Sequence, residues 1–218
     1  DVVALVVKGS VVRFAIAMKI GVLLLVATFT SVNSAGDVNI VLGNGCYWAL
    51  QYLIVNEFEM RTMNRTDNEI TTITGYAGGV PSPELCYHNA NNAFDYGSLG
   101  HAEAVQVTVP NDPVALEKLA RIFFNDSFVQ YPEGSDSQNV SRPDVYDVGA
   151  EYRALLGIPG GMEGILMSPF LKANRALHNM TLLAGSGSDP DTIDDDSVLV
   201  YDTNNFKFTQ AELCMQFH

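Results

Sequence analysis

Cys46 lies in the run Val41-Leu-Gly-Asn-Gly-Cys-Tyr-Trp-Ala49, directly after a short apolar stretch. That position is the junction of a strand and a helix. Amides exposed at a helix start stabilise a thiolate, so Cys46 is a candidate nucleophile. Glu103, in Gly100-His-Ala-Glu103, shares a strand face with Val105, Val107 and Val109. If that face is the core face, desolvation raises the carboxyl pKa and suits it to proton donation near neutral pH. At a solvated strand entrance the same residue is inert, and spacing alone leaves both readings open. His101 is expected to point away from Glu103, so a cysteine–histidine pair is not well supported. Asp147 and Tyr152 sit five residues apart in Asp147-Val-Gly-Ala-Glu-Tyr-Arg153, an ordinary loop-to-helix transition on residue types alone. Tyr47 and Trp48 either wall an apolar pocket beside the thiol or are plain core aromatics.

Three cysteines, Cys46, Cys86 and Cys214, are too few for a disulfide scaffold, and the odd count leaves at least one thiol free. Their spacings match no short zinc pair, and no metal site is expected. The glycines at 75–79 lack phosphate-loop or dinucleotide spacing, and no haem, flavin or nicotinamide motif is present.

These residues need elements to hold them. Val38 to Leu42 is apolar enough for a central strand. Cys46 to about Glu59 reads as a helix packed through Leu50, Leu53 and Ile54. Ile70 to Thr74 is a second strand, followed by a glycine-rich turn at Gly75-Tyr-Ala-Gly-Gly79 and by Pro81 and Pro83. Tyr87 to Ser98 is a polar, asparagine-rich loop. Ala102 to Val109 alternates cleanly as a strand. Asn111-Asp-Pro113 starts a helix whose apolar side is Leu116, Leu119, Ala120 and Phe123. A long loop spans 125–149, and Pro159-Gly-Gly161 breaks the chain. Ser168 to Leu183 is a further helix and Val198 to Tyr201 a strand. The pattern fits one α/β or α+β domain without internal repeats.

The 218 residues carry 12 basic and 25 acidic side chains, a net charge of −13. Nucleic acid is excluded as a partner, because phosphate binding needs a basic footprint. Asp189 to Asp196 holds five aspartates and reads as a solvated loop. Near the start, Met18-Lys19 precedes Ile20-Gly-Val-Leu-Leu-Leu-Val-Ala27 and then small residues through Ser34 and Ala35. This is a signal-peptide pattern, too short for a comfortable membrane span. An uncleaved anchor or a hydrophobic strand is the other reading. Residues 1–35 are read as leader and signal peptide, with Met18 as the expected start, and 36–218 as the domain. Asn-X-Ser/Thr acceptors at Asn64, Asn125, Asn139 and Asn179 fit export, giving a glycoprotein of the secretory lumen or extracellular space, with no stable membrane insertion after cleavage.

The chain resembles the peptide methionine sulfoxide reductase A family. The matching pieces, in family order, are Gly45-Cys-Tyr-Trp48, Gly75-Tyr-Ala-Gly-Gly79, Gly100-His-Ala-Glu103, Asp147-Val-Gly-Ala-Glu-Tyr-Arg153 and Ala211-Glu212. The resemblance implies a single two-layer α/β sandwich of the α+β class, a mixed sheet flanked by helices with long loops and a ferredoxin-like core. It implies that Cys46 attacks the sulfoxide sulfur of methionine-S-sulfoxide and becomes a sulfenic acid. Glu103 protonates the sulfoxide oxygen, Tyr152 hydrogen-bonds it, and Asp147 organises the site. Trp48, with Tyr47 where the family usually has phenylalanine, holds the substrate methyl group. No cofactor is bound. An external reductant, a thioredoxin-like protein or a small thiol, recycles the cysteine. Oxidised methionine-containing peptides or proteins are the implied partners, and a monomer is the default.

The chain departs from the family pattern in places. Leu85 stands where the family has a tyrosine that binds the oxygen, and Tyr87 is the candidate substitute. One lost transition-state donor costs about 3 kcal/mol. Ala49, Glu151, Ala154 and Met215 are further departures. Cys214 or Cys86 is a candidate to resolve the sulfenic acid, which requires α-carbons to come within about 7 Å. The alternatives are a non-catalytic relative that binds methionine or methionine-sulfoxide peptides, and a different thiol-dependent oxidoreductase.

Overall fold

The structure, a computed structural model, describes residues 2–7, 10–19 and 22–30 as backbone, and 36–88, 94–131, 140–193 and 195–217 with side chains. Ser34, Ala35, Asn139, Asp194 and part of the asparagine-rich loop therefore lie outside the described residues. The chain divides into two units, Asp1–Gly36 and Asp37–His218. The first carries three antiparallel strands, β1 (Val2–Val7), β2 (Ser10–Lys19) and β3 (Val22–Thr30), in the order β1-β2-β3. Among the described residues no helix is long and apolar enough to cross a membrane.

The second unit is built on a seven-stranded mixed sheet. Its strands are β4 (Asp37–Gly43), β5 (Ile73–Ala77), β6 (Ala102–Pro110), β9 (Leu155–Ile158), β10 (Thr181–Ala184), β11 (Ser197–Asp202) and β12 (Thr209–Gln210). The order is β10-β11-β9-β4-β6-β5-β12. A two-residue pair, β7 (Val129–Gln130) with β8 (Val140–Ser141), stands apart from it. Each of the middle four strands, β9-β4-β6-β5, runs antiparallel to its neighbours within that set. Helix α1 (Tyr47–Leu53) joins β4 to β5, and α2 (Pro113–Asp126) lies between β6 and β9. That order and those crossovers make a ferredoxin-like core. The parallel strands β11 and β10 extend it beyond β9, with α3 (Met167–Ala176) between β9 and β10.

Alternation decides which face the helices cover. Ile40 and Leu42 on β4 pair with Val107 and Val105 on β6. These residues share one apolar cluster with Leu50, Leu116, Leu119, Phe123, Phe170 and Ala173 of the three helices. The opposite face, Val41, Ala104, Leu155, Leu199 and Tyr201, is covered by Phe206 and Phe208 from a loop. Helices on one face and loops on the other give the two-layer α+β arrangement. Asp112 caps α2 by accepting the Ala115 N–H at 2.9 Å, and Pro113 occupies its first turn.

The expected helix from Cys46 to Glu59 is instead a seven-residue α-helix followed by a π-helical stretch over Ile54–Thr62. The Met63 N–H reaches back five residues to the Phe58 carbonyl. The wider turn buries Phe58 and Glu59 side by side. Glu59, fully buried, accepts hydrogen bonds from Arg65, from the Thr71 and Thr72 hydroxyls and from both their amides. Burial pushes its pKa up, but the hydrogen bonds from Thr72 and Thr71, with Arg65, outweigh it and hold the carboxyl below its ordinary range. A depressed carboxyl contributes stability above its unfolded value that is lost as pH falls through the folded one. Glu59→Gln is therefore expected to cost about 3 kcal/mol in urea unfolding at neutral pH. The variant should also lack part of the parent's acid-side loss of stability.

Gly75 belongs to β5 rather than to a turn. A Cβ there would lie 2.3 Å from the Thr209 carbonyl oxygen, so the glycine lets β12 close on β5. The expected helix from Ser168 to Leu183 ends at Ala176, and its last residues form β10.

Candidate active site

The end of β4 delivers the chain into a tight turn. Gly45 has φ +74°, and a Cβ on it would press on Asp147 and Arg142. Its N–H donates to the Tyr152 carbonyl at 3.0 Å. Cys46 follows as the N-cap of α1, half-buried, with its thiol free. The next two amides are both held by carboxylates. Cys46 N–H donates to Asp147 Oδ2 and Tyr47 N–H to Glu103 Oε2, each at 2.9 Å. One peptide step thus fixes the nucleophile candidate between two acids from distant parts of the chain.

Glu103 is 2% exposed, on the helix-covered face of β6. Burial pushes its pKa up to about 7, against the Tyr47 N–H and the Tyr96 hydroxyl, with Asp147 and Glu151 adding to the rise. Cys46 differs from the thiolate expected at a helix start. Burial is the largest influence on its thiol and raises it. The Trp48 and Ala49 amides pull it down, and Glu103 and Asp147 push it up. A helix of seven residues with two acids at its mouth leaves the thiol protonated at rest. Burial likewise raises Asp147, opposed by the Cys46 N–H and by Arg142. Tyr152, half-buried, is pushed up to about 12 by burial and then by Glu103 and Asp147. It stays a neutral hydroxyl that can donate.

His101 is turned away from these groups. Its Nδ1 accepts the Gly79 N–H and its Nε2 donates to the Val80 carbonyl at 2.9 Å, which fixes a neutral tautomer. Burial holds its pKa down. Strict alternation would put residues two apart on one face. Gly100, at φ +72°, breaks the pattern just before β6 begins at Ala102.

Aromatic rings line the far side. Tyr47 lies 5.5 Å from Trp48, Tyr76 stacks on Tyr96 at 4.8 Å, and Tyr87 on Tyr96 at 5.5 Å. The Trp48 indole N–H donates to the Met215 carbonyl at 3.0 Å, so the turn Leu213–Met215 fixes the indole. The Glu212 carboxylate accepts the Tyr76 hydroxyl and the Tyr87 N–H. Leu85 is half-buried against the core, while Tyr87 sits in the field of Glu103 and Cys46. Cys214 is exposed on the Leu213–Met215 turn, and half-buried Cys86 directs its thiol to the Phe94 carbonyl. Cys46 and Cys214 are free thiols.

Several supporting residues have no counterpart in the sequence reading. Buried Arg142 forms a two-pronged pair with Asp191 and donates to the Tyr152 carbonyl. Asp191 also accepts the Gly149 N–H. Burial raises the Asp191 carboxyl, and Arg142 and the backbone amides outweigh that and lower it. Within the aspartate-rich loop Asp191 is thus tied to the segment that carries Tyr152, while Asp195 is exposed. Asp189 accepts the Tyr201 hydroxyl, and Asp196 accepts the Val140 N–H. Arg153, fully buried, donates to the Gly78, Gly100 and Ala150 carbonyls and to the Tyr201 hydroxyl. One guanidinium thus joins three of the quoted sequence runs. Tyr96 was hidden in the polar loop; a bulky aromatic among asparagines was its only signal.

A nucleophile candidate, a carboxyl that is half protonated near neutral pH and an aromatic wall suit thiol attack with acid assistance. The described residues hold no cluster able to bind a metal ion. Among known proteins, the chain is 26% identical over 145 residues to the peptide methionine sulfoxide reductase MsrA of Campylobacter jejuni, covering 66% of this chain and 73% of that one. It is 28% identical over 137 residues to the MsrA of an Arthrobacter species, covering 63% and 66%. The solved structure of reduced Mxr1 from Saccharomyces cerevisiae overlaps at 19% identity with a TM-score of 0.47, covering 85% of each chain. The sequence model of the family described as "Peptide methionine sulfoxide reductase" matches residues 38–156. That match is more than half of the chain and runs through Cys46, Glu103, Asp147 and Tyr152; this chain belongs to the peptide methionine sulfoxide reductase family.

Proposed function

We propose that this protein reduces methionine-S-sulfoxide to methionine through a sulfenic acid on Cys46. The observation that carries the reading is the pair of consecutive amides that hold Asp147 and Glu103 at Cys46 and Tyr47. Cys46 attacks the sulfoxide sulfur, Glu103 protonates the leaving oxygen, and the Tyr152 hydroxyl hydrogen-bonds that oxygen, with Tyr87 as the substitute for the second donor. Tyr47 and Trp48 form the wall for the substrate methyl group. Asp147 fixes the start of α1. In the net step the sulfoxide S–O bond and the Cys46 S–H bond break, an S–O bond forms on Cys46, and the thiol proton replaces the one that Glu103 gave to the oxygen. The sulfoxide sulfur gains the two electrons that the cysteine sulfur loses. Two thiols of an external reductant then restore Cys46, releasing water and a disulfide. No group in this sequence asks for a prosthetic cofactor. Cys214, exposed on the turn that holds Trp48, and Cys86 are the two candidates to resolve the sulfenic acid.

The substrates are oxidised methionine-containing peptides or proteins, and the reductant is a thioredoxin-like protein or a small thiol. The signal-like run at 18–35 and the exposed acceptors Asn64, Asn125 and Asn179 support an exported glycoprotein, with a monomer as the default. Purified protein mixed with each epimer of a peptide methionine sulfoxide and excess dithiothreitol tests the activity. Methionine should form from the S-epimer only. Folded protein with a free Cys46 thiol and no turnover of either epimer would favour a binding relative instead.

A further inference from the structure

The two oxygens of Glu103 are not equivalent. Oε2 accepts the Tyr47 N–H at 2.9 Å, from a backbone group that can only donate. Oε1 faces the Tyr96 hydroxyl at 3.0 Å. A carbonyl-type oxygen accepts an amide hydrogen better than an acid O–H oxygen does. In the neutral acid the hydrogen therefore belongs on Oε1. A phenol hydroxyl can donate to a carboxylate and can equally accept from a carboxylic acid. Tyr96 serves both forms of Glu103 by turning one O–H bond, and no heavy atom has to move.

We propose that Tyr96 is the positioning residue of the acid: it keeps the transferable proton on Oε1 and receives the carboxylate once that proton has gone to the substrate oxygen. This rests on the reading of Glu103 as the proton donor. In the step the Oε1–H bond breaks, an O–H bond forms on the departing oxygen, and the Tyr96 O–H swings to donate to the new carboxylate. Tyr96 itself keeps its proton throughout. Its ring is fixed for the task, 6% exposed and stacked between Tyr76 and Tyr87. Burial and then Glu103 hold its phenol far above the ordinary range.

The groups facing Glu103 come from every neighbouring element. Cys46 and Tyr47 lie at the start of α1, and Tyr76 is opposite on β5. Tyr87 and Tyr96 come from the following loop. Asp147, Glu151 and Tyr152 come from the segment before β9. None is a cation, so the Tyr96 hydroxyl and the Tyr47 amide are the groups that stabilise the carboxylate form.

Tyr96→Phe keeps the stacking and removes only the hydroxyl. The rate of sulfenic acid formation in a single turnover, with S-epimer peptide and the full chain, is measured against pH. The parent rate climbs with the thiolate and levels off as pH rises through the Glu103 pKa, where loss of the acid offsets gain of the thiolate. In the variant this break should move about one pH unit higher, because one stabilising bond to the carboxylate is gone. Below the break the rate should drop about tenfold with KM little changed. A merely structural tyrosine would leave the break in place. An unmoved break with a parent-like rate below it overturns the proposal and leaves the activity standing. A parent that does not turn over overturns both. If Tyr96→Phe fails to melt cooperatively, the Glu103 carboxyl shift followed by NMR in Tyr96→Leu and in the parent decides by the same displacement.

Discussion

Cys46→Ser is expected to reduce turnover by roughly 10⁴-fold or more, because a hydroxyl at this position is a far weaker nucleophile and cannot end as a sulfenic acid. The fold should survive. The contacts that fix this position, from its amide to Asp147 and from the Leu50 N–H to its carbonyl, are backbone bonds that serine keeps. The measurement is methionine formed from the S-epimer peptide, together with mass spectrometry of protein treated with substrate and no reductant. The parent should gain one oxygen on Cys46 or a disulfide derived from it, and the variant neither. Parent-like turnover by the serine form would remove Cys46 from the chemistry altogether.

Glu103→Gln is expected to slow sulfenic acid formation by about 10²- to 10⁴-fold, the usual contribution of a positioned acid. The pH dependence carries the sharper content. Burial places the Glu103 pKa at about 7, so its acid form dominates below neutrality and fades above it. The acid's contribution should therefore fade as pH rises through that value. The thiol, which burial and the two carboxylates keep protonated, draws the rate the other way. The parent's rate should climb with the thiolate on the acid side and level off through the Glu103 pKa, where the two trends cancel, and the glutamine variant should keep climbing. Single-turnover rates across about pH 5 to 9 resolve this break. A glutamine variant that levels off as the parent does would assign the acid elsewhere.

Much of the framework was legible because periodicity is local. Val105, Val107 and Val109 announced a face, and Glu103 inherited its burial from them. Asp112 and Pro113 announced the start of α2. The π-helical stretch left no such mark, because Glu59 turns inward only to meet Thr71 and Thr72 twelve and thirteen residues on. Gly75 read as a turn because glycine punctuates loops; it serves a strand, and the reason is Thr209, far along the chain. The supporting shell was illegible for the same cause. Arg142 and Asp191 are separated by 49 positions, and nothing near either one names the other. A run of aspartates looks solvated until the arginine that claims one of them is known. Helix-start amides by themselves favour a thiolate, but at Cys46 burial and the two acids outweigh them.

The amides around Cys46 have a consequence in time as well as in space. Cys46 meets Asp147 across 101 positions, and Tyr47 meets Glu103 across 56. The Arg153 guanidinium spans 75 positions to Gly78 and 53 to Gly100. Contacts of such long range carry a high loop-closure cost and cannot form until both segments have been synthesised. A chain still being synthesised carries Cys46 as an ordinary thiol, with no acid beside it and no wall for a methyl group. Sulfoxide chemistry therefore arrives with the last tertiary contacts, whereas the same fold that assembles the site also shields Cys46 and lowers its thiolate content relative to the exposed thiol of the nascent chain.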